Sequence, residues 1–437
     1  MTWGKSLATY LVGVVLLAGL LLAARDSLIL GAVAAAVALS FAICVQLGPE
    51  RAGTLFVTIA LFCGPMGGAT PLPGATFVTF ADIFLVVGFG LLAPGFFVHR
   101  FQLPPLYLAG VTLAVVMGIV ATLNAEDPFV SANLFARFLA SVVILPIAFL
   151  LWAPSIQVTV NLARAYALGT VFSTGWGLVE GTAADTGRYI GLTEHPNAFG
   201  LTGVLAAALI PFIVSHTKPS WQWLWWGVGA IHLFAIWISG SRASLLVIIA
   251  LIALYVAVER STKAVGWLMA AALLVLPFAE RLLTRSDNAL GRLLGGGSAS
   301  NSDIEREQAL DKGIKAFFEH PLLGNGFEDA LHAHNVYLQI AVCIGVFGLV
   351  GWVLILLATC LPLVSLPRPL HRIGYPAIGY AMTALLTSLI WDRYIWLVLV
   401  LALVVSANPE ARSRAAEPDP ENDERPRLQG AGGVRKR

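Results

Sequence analysis

Apolar stretches long enough to span a bilayer recur along nearly the whole chain, and they limit the possible folds more than any other feature. Of the 437 residues, 58% are hydrophobic and only 12% are charged, about half the charged fraction of soluble domains. We therefore predict an all-α polytopic membrane protein with roughly 12–14 transmembrane helices of about 20 residues each. The runs lie near 7–24, 28–47, 53–68, 77–97, 105–123, 134–152, 156–178, 197–214, 221–239, 243–258, 264–279, 335–362, 374–390 and 394–407.

Basic residues between the runs fall unequally on the two predicted faces. Threading the runs alternately puts both termini and most short-loop Lys and Arg residues on one face, and such residues favour the cytoplasmic side. Residues 1–407 then form one transmembrane domain, residues 280–334 form a large loop on the outer face, and residues 408–437 form a disordered cytoplasmic tail. The basic residues concerned are Lys5, Arg51, Arg100, Lys218, Arg260, Lys263, Arg368 and Arg372.

The charge balance and the cysteines exclude several classes of protein. The net charge is +2 and no basic run lies outside the C-terminal tail, so we expect no nucleic-acid partner. The four cysteines are scattered through apolar segments without a CxxC pair. They are therefore typical of small membrane-embedded hydrophobic residues and not of a disulfide or metal framework.

Arg242 is the first candidate for a functional group on the outer face. It lies in ISGSRASLL, directly between two apolar runs, so the turn is too short to carry it far into water. An arginine at the end of a span can simply reach the interface. Here the neighbouring turn also offers backbone N–H groups and hydroxyls, and a guanidinium can bind a phosphate with two hydrogen bonds.

The outer loop is predicted to contain a short amphipathic helix. Ser302 and Glu305 fit a capping box, and a helix starting there would run to about His320, before a proline. Arg306 shares one stripe of this helix with apolar residues and should point toward the membrane domain; an ion pair with a nearby acid is the alternative. We expect the other loop arginines to be surface charges: Arg281, Arg285 and Arg292.

His334 is the candidate general base. It precedes an apolar run in HAHN, and an unperturbed imidazole, with a pKa of about 6.5, can accept a proton from a hydroxyl near neutral pH. A structural histidine bonded to a backbone carbonyl is the alternative. His332 and His334 could also form half of a metal site, but no third ligand is evident, so we predict no metal.

Three segments between residues 240 and 351 together resemble the O-antigen ligase and polymerase superfamily: SGSRASLL, the loop with Arg306 before HPLLGNG, and HNVYLQ followed by GVFGLVG. The resemblance implies transfer of a glycan from an undecaprenyl-type pyrophosphate carrier to a hydroxyl of a glycan or lipid acceptor, at the outer side of the bacterial cytoplasmic membrane, among membrane lipids and without a cofactor. It also implies that His334 is the base and that Arg242 and Arg306 hold the pyrophosphate. Further substrate contacts are expected from Arg188 in TGRYIG, His332, Asn335 and Asp392 in the WDRY turn, which could instead orient His334.

Four functions are compatible with this pattern. An O-antigen ligase, with lipid A–core as acceptor, is the first, and a polymerase that extends a second lipid-linked repeat unit is the main alternative. A peptidoglycan-type glycosyltransferase would share the topology without the HN motif. A flippase or other transporter would need a polar pathway through the spans, where Arg164 is the main internal charge, and no internal repeat is evident.

Overall fold

The computed structural model describes residues 42–71, 78–96, 103–181, 183–184, 187–262, 266, 269, 288–293, 299–327 and 334–408. These residues form helices joined by short connections, with an isolated antiparallel bridge between Ala183 and Tyr189. The predicted run 7–24, most of the runs 28–47 and 264–279, and the tail from residue 409 onward lie outside the described residues.

Within the described ranges, nine helices lead up to the predicted outer loop. They are α1 (Pro49–Cys63), α2 (Phe80–Leu92), α3 (Pro105–Leu123), α4 (Pro128–Leu139), α5 (Leu145–Trp152), α6 (Ile156–Glu180), α7 (Pro196–Ser215), α8 (Gln222–Ile238) and α9 (Arg242–Glu259). A π-helical segment, Ala140–Ile144, joins α4 to α5 without a break.

The other helices of the described residues are two in the loop and four that complete the bundle. They are α10 (Ala289–Leu293), α11 (Ala299–Glu319), α12 (Val336–Cys360), α13 (Pro362–Ser365), α14 (Tyr375–Thr383) and α15 (Arg393–Ala407). The predicted loop helix is therefore present as α11, but it begins three residues before Ser302, so a capping box at that residue is wrong.

Five helical stretches in the described ranges are long and apolar enough to cross a membrane, fewer than the number of predicted runs. They are Pro105–Leu123, Pro128–Trp152, Pro196–Ser215, Arg242–Glu259 and Val336–Ser365; Phe80–Gly95 and Arg393–Ala407 are shorter apolar helices. The predicted class, an all-α polytopic membrane protein, is confirmed.

The run predicted over 374–390 is not one helix, because α14 ends at Thr383. Side chains there replace part of the helical hydrogen bonding: the Tyr380 hydroxyl donates to the Leu389 carbonyl (2.7 Å) and the Trp396 indole donates to the Ile390 carbonyl (2.9 Å). An apolar segment can thus stay non-helical in the interior when its polar backbone groups have partners.

Helix α15 lies at the centre of the bundle and is buried from Tyr394 to Val405. Around it, close helix pairs rely on glycine, as where α3 packs against α12. A Cβ atom at Gly110 would lie 2.7 Å from the Gly351 carbonyl oxygen, so the two backbones are in direct contact. Small residues at such crossings are typical of membrane helix packing.

The turn HPLLGNG fixes α11 against α12. Helix α12 is interrupted at Ile344 and Gly345, where Gly345 has φ +69°, a conformation that favours glycine. The turn inserts there: Asn325 N–H donates to the Val342 carbonyl (2.8 Å) and Val346 N–H donates to the Pro321 carbonyl (2.9 Å). The C-terminal end of α11 is thereby held on the helix that begins just after His334.

Candidate active site

The turn between α8 and α9 is the part of the site around which its arginines are placed. Gly240 adopts φ +64°, and Ser241 caps α9 by accepting a hydrogen bond from the Ser244 N–H (3.3 Å). This places Arg242 as the first residue of α9. Helix α7 packs tightly beneath the turn, since a Cβ at Gly200 would lie 2.6 Å from the Ser244 hydroxyl.

Arg188 is buried against this turn. The segment from Ala183 to Tyr189 folds back on itself through the isolated bridge, and the Tyr189 N–H donates to the C-terminal end of α8. The Arg188 Nε donates to the Ser239 carbonyl (3.0 Å) and Nη2 donates to Asn197 Oδ1 (2.9 Å). These bonds fix the guanidinium beside Arg242.

Arg292 is also part of the site, and its prediction as a surface charge is wrong. It lies in α10, which packs on α8 and α9, and its side chain is 4% exposed. Its Nη1 donates to the Gly240 carbonyl (3.0 Å). The sequence prediction failed because the overall acidity of the loop says nothing about which of its basic residues docks on the bundle.

Arg306 approaches the same region from α11. As the helical stripe predicted, the residue is partly buried, and Gly313 on the same stripe is buried, although Leu310 is exposed. The Arg306 Nε is enclosed and has no hydrogen-bond partner among the described residues. It is therefore a donor available to a ligand.

Asp303, one turn before Arg306, provides the acid of the cluster. Both of its carboxylate oxygens accept from Arg242: Nη1 donates to Oδ2 at 3.0 Å, and Nη2 donates to Oδ1. The hydrogen bond from Arg242 lowers the pKa of Asp303, and the charges of Arg242, Arg306 and Arg292 act in the same direction. The ion pair considered for Arg306 thus forms at Arg242 instead.

The four arginines are close enough to repel one another. Burial, followed by the charges of Arg292, Arg306 and Arg242, lowers the pKa of Arg188 to about 9. A guanidinium stays protonated in proteins, so Arg188 keeps its positive charge despite its burial and the three neighbouring cations. An anion bound between these groups would relieve the repulsion.

His334 stands at the start of α12 with an unusual backbone. Its φ is +51°, in the left-handed region that non-glycine residues seldom adopt, and its side chain is partly buried. Asn335, predicted to contact substrate, caps α12 by accepting from the Leu338 N–H (3.1 Å). This cap and the Val336 N–H bond to the Ala384 carbonyl (2.8 Å) fix the position of His334.

His195 connects His334 with the arginines. Its Nδ1 accepts from the Asn197 N–H (3.1 Å) at the start of α7, so the neutral ring carries its proton on Nε2. His195 is exposed at the surface, but neighbouring atoms still displace part of the water around its ring. This desolvation, followed by the charges of Arg188, His334 and Arg306, lowers the pKa of His195 to about 4. His195 is therefore neutral at physiological pH.

A cavity of about 320 Å³ adjoins His195. Asp392 lines it, with Glu194 nearby, and burial together with the Glu194 charge raises the pKa of Asp392 to about 6. Arg393 also lines it and pairs with Asp82 at 2.5 Å. The structure thus places the predicted Asp392 beside Glu194, a residue for which sequence reasoning gave no functional signal.

Two further predictions concern His332 and metal binding. His332 lies outside the described residues. Within the described ranges, no three His, Cys, Asp or Glu side chains are grouped closely enough to hold a metal ion.

These features define a class: a helical membrane protein with a buried cluster of arginines and a histidine at one end of its bundle. Comparison with known families is more specific. Residues 227–353, from α8 through both loop helices into α12, match the O-antigen ligase family. This segment contains Arg242, Arg292, Arg306 and His334, and the match confirms the resemblance to the O-antigen ligase and polymerase superfamily. No curated protein matches the chain.

Proposed function

We propose that the protein is an O-antigen ligase of the bacterial inner membrane, which transfers a glycan from a polyprenyl-pyrophosphate carrier to a hydroxyl of lipid A–core. The observation that carries the proposal is the cluster of Arg188, Arg242, Arg292 and Arg306, in which burial, together with the charges of the other three arginines, lowers the pKa of Arg188. A membrane protein is expected to bury several like charges only for a function. The family match supports a glycosyltransferase-type reaction in general.

The arginine cluster suits a pyrophosphate because it offers several donors without enough acid to satisfy them. Arg306 Nε is enclosed without a hydrogen-bond partner among the described residues, and Arg242 presents both terminal nitrogens on one side, to Asp303. Pyrophosphate oxygens would accept from both. As the bond to the sugar breaks, negative charge grows on the leaving pyrophosphate, and fixed positive groups stabilise that charge.

The acceptor hydroxyl attacks the anomeric carbon from the face opposite the pyrophosphate. The bond from its oxygen to the anomeric carbon forms, the bond from that carbon to the phosphate oxygen breaks, and the hydroxyl proton passes to His334. Polyprenyl pyrophosphate leaves, and the configuration at the anomeric carbon is inverted. In support of this role, His334 lies close enough to His195, and hence to Arg188 and Arg306, for its charge to act on that ring.

The test uses the purified full-length protein in lipid nanodiscs with a polyprenyl-pyrophosphate glycan as donor. Lipid A–core is the acceptor in one reaction, and in a second reaction the donor is offered alone. Each is run with and without EDTA. We expect one glycan to be added to lipid A–core, insensitive to EDTA, with release of the carrier pyrophosphate. Glycan chains that grow on the carrier would establish a polymerase instead, whereas movement of the donor between leaflets without a new glycosidic bond would overturn both and indicate a transporter.

A further inference from the structure

None of the four clustered arginines lines the cavity of about 320 Å³ next to His195. Its lining includes Glu194, His195, Asp392 and Tyr394 from two separate parts of the chain. Two arginines in the same wall, Arg137 and Arg393, balance the two carboxylates, and Arg393 is already paired with Asp82 at 2.5 Å. The cavity therefore calls for a ligand different from the one that suits the arginine cluster.

Tyr394 contributes its ring, not its hydroxyl, to the cavity wall. The residue lines the cavity and is only 7% exposed, and its hydroxyl is fully enclosed without a hydrogen-bond partner in the described part of the chain. A polar ligand in the cavity would therefore meet Glu194, His195 and Asp392, and not this hydroxyl.

The remaining lining fits a sugar ring. Carboxylates accept strong hydrogen bonds from hydroxyls, and the Nε2–H of neutral His195 is a further donor. Trp391, half-buried in the same wall, offers an indole surface for the C–H face of a pyranose. The volume is at the lower end of the range of about 300–1,000 Å³ that is typical of ligand sites. The cavity has room for little more than one ring.

The wall is held in a fixed shape. The Ser141 hydroxyl donates to the Trp391 carbonyl (2.6 Å), and the Thr193 hydroxyl donates to the Ile190 carbonyl (2.6 Å). The residues on either side of the cavity are thus tied to α4–α5 and to the loop of Arg188. His195 lines the cavity, and the charges of both Arg188 and His334 lower its pKa. The cavity is therefore adjacent to the proposed reaction centre.

We propose that this cavity is the acceptor subsite: it holds the sugar ring that bears the attacking hydroxyl, and Glu194 and Asp392 accept hydrogen bonds from the other hydroxyls of that ring. This inference rests on the proposed function. It adds the chemical class of the acceptor group, a sugar ring bound through hydroxyls, and the residues that recognise it.

The experiment measures initial rates of transfer at varied acceptor and at varied donor concentration. The acceptor is lipid A–core, or the lipid-linked glycan itself if the wild type uses that. Glu194→Gln and Asp392→Asn are compared with two controls. Tyr394→Phe removes the enclosed hydroxyl of the wall, and Glu180→Gln changes an exposed acid at the end of α6 away from the cavity. Because hydrogen bonds to charged groups are worth about 1.5–3 kcal/mol, we expect each carboxylate variant to raise the acceptor KM about tenfold or more.

The donor KM distinguishes recognition of the acceptor from damage to the fold. It should stay at the wild-type value in all four variants, and the acceptor KM should be unchanged in both Tyr394→Phe and Glu180→Gln. An unchanged acceptor KM in both carboxylate variants would overturn the subsite and leave the proposed function intact. An equal rise in donor KM would also overturn the acceptor subsite, since the cavity would then bind the donor. A wild type that transfers glycan to neither acceptor would overturn the proposed function together with the subsite.

Discussion

Asp303 accepts hydrogen bonds from both terminal nitrogens of Arg242, so a carboxylate occupies the guanidinium face that a phosphate would use. The carboxylate is mostly exposed, with 57% of the side chain accessible, whereas Arg242 is 15% exposed. An ion pair of this kind contributes little to stability, about 0–1 kcal/mol. Asp303 can therefore be displaced by a pyrophosphate at small cost.

Replacement of Asp303 by Asn should strengthen donor binding. The change removes a competitor for Arg242 and adds to the net positive charge of the cluster, so we expect the donor KM to fall about two- to tenfold. The control is Asp311→Asn, an exposed acid farther along α11, which should leave the donor KM unchanged. An increased donor KM in Asp303→Asn would mean that the ion pair is needed to hold Arg242 in place.

Arg292 should matter as much as the arginines that the sequence motifs identify. Its guanidinium is buried and bonded to the Gly240 carbonyl, so Arg292→Gln should remove both positive charge and support for the turn before Arg242. We expect kcat/KM for the donor to fall about 100-fold, equivalent to roughly 2.7 kcal/mol of transition-state stabilisation. Steady-state kinetics with Lys315→Gln, an exposed cation on α11, as control would measure this. Wild-type kinetics in Arg292→Gln would restrict Arg292 to a structural role in the turn before Arg242.

Sequence patterns predicted those parts of the molecule that depend on neighbouring residues along the chain. The apolar runs indicated the membrane class, and the helical stripe placed Arg306 on the inner side of α11. Arg292 and Glu194 could not be found this way, because their roles depend on which loop segment docks where. The prediction of one helix across 374–390 was wrong for a different reason. The Tyr380 and Trp396 side chains donate to backbone carbonyls of this segment, and apolar periodicity does not reveal such bonds.

The motif glycines show how a recognisable pattern and a structure are connected. HPLLGNG and GVFGLVG are separate in the sequence, yet a Cβ at Gly324 would lie 2.4 Å from the Cys343 carbonyl oxygen, and one at Gly345 would lie 2.2 Å from the Leu322 carbonyl oxygen. The two motifs are the two sides of one backbone contact. This contact sets the position of the loop relative to His334.

His334→Asn separates the loss of the base from the loss of structure. Asparagine tolerates a positive φ better than most residues, so it should accept the φ of +51° at this position while removing the imidazole. We expect kcat to fall about 100-fold or more, with the donor KM and the apparent Tm unchanged. Binding of labelled donor to nanodiscs, measured beside the turnover assay, checks both points. Full turnover in His334→Asn would show that another group accepts the proton.

The pH dependence of acceptor binding should follow the ionisation of the Asp392 carboxyl group. Its pKa is raised from 3.8 to about 6 by burial and the nearby Glu194 charge, partly offset by Arg393, and only the ionised carboxylate accepts hydrogen bonds at both oxygens. Binding of lipid A–core to the inactive His334→Asn protein should therefore strengthen as the pH rises from 5 to 7, with a midpoint near 6. His195, with a pKa of about 4, is already neutral throughout this range.

The raised pKa of Asp392 also predicts that the folded protein loses stability as the pH rises, whereas acceptor binding strengthens. A carboxyl group whose pKa is higher in the folded than in the unfolded protein binds its proton more tightly when folded, so it lowers stability as the pH rises from about 4 to 6. Asp392→Asn should remove this decline, giving a higher apparent Tm than wild type at pH 7 but not at pH 4, and should abolish the midpoint near 6 in acceptor binding. The matched control, Glu180→Gln, should retain both pH dependences. Identical pH profiles for Asp392→Asn and wild type would show that Asp392 does not titrate in this range and does not contact the acceptor.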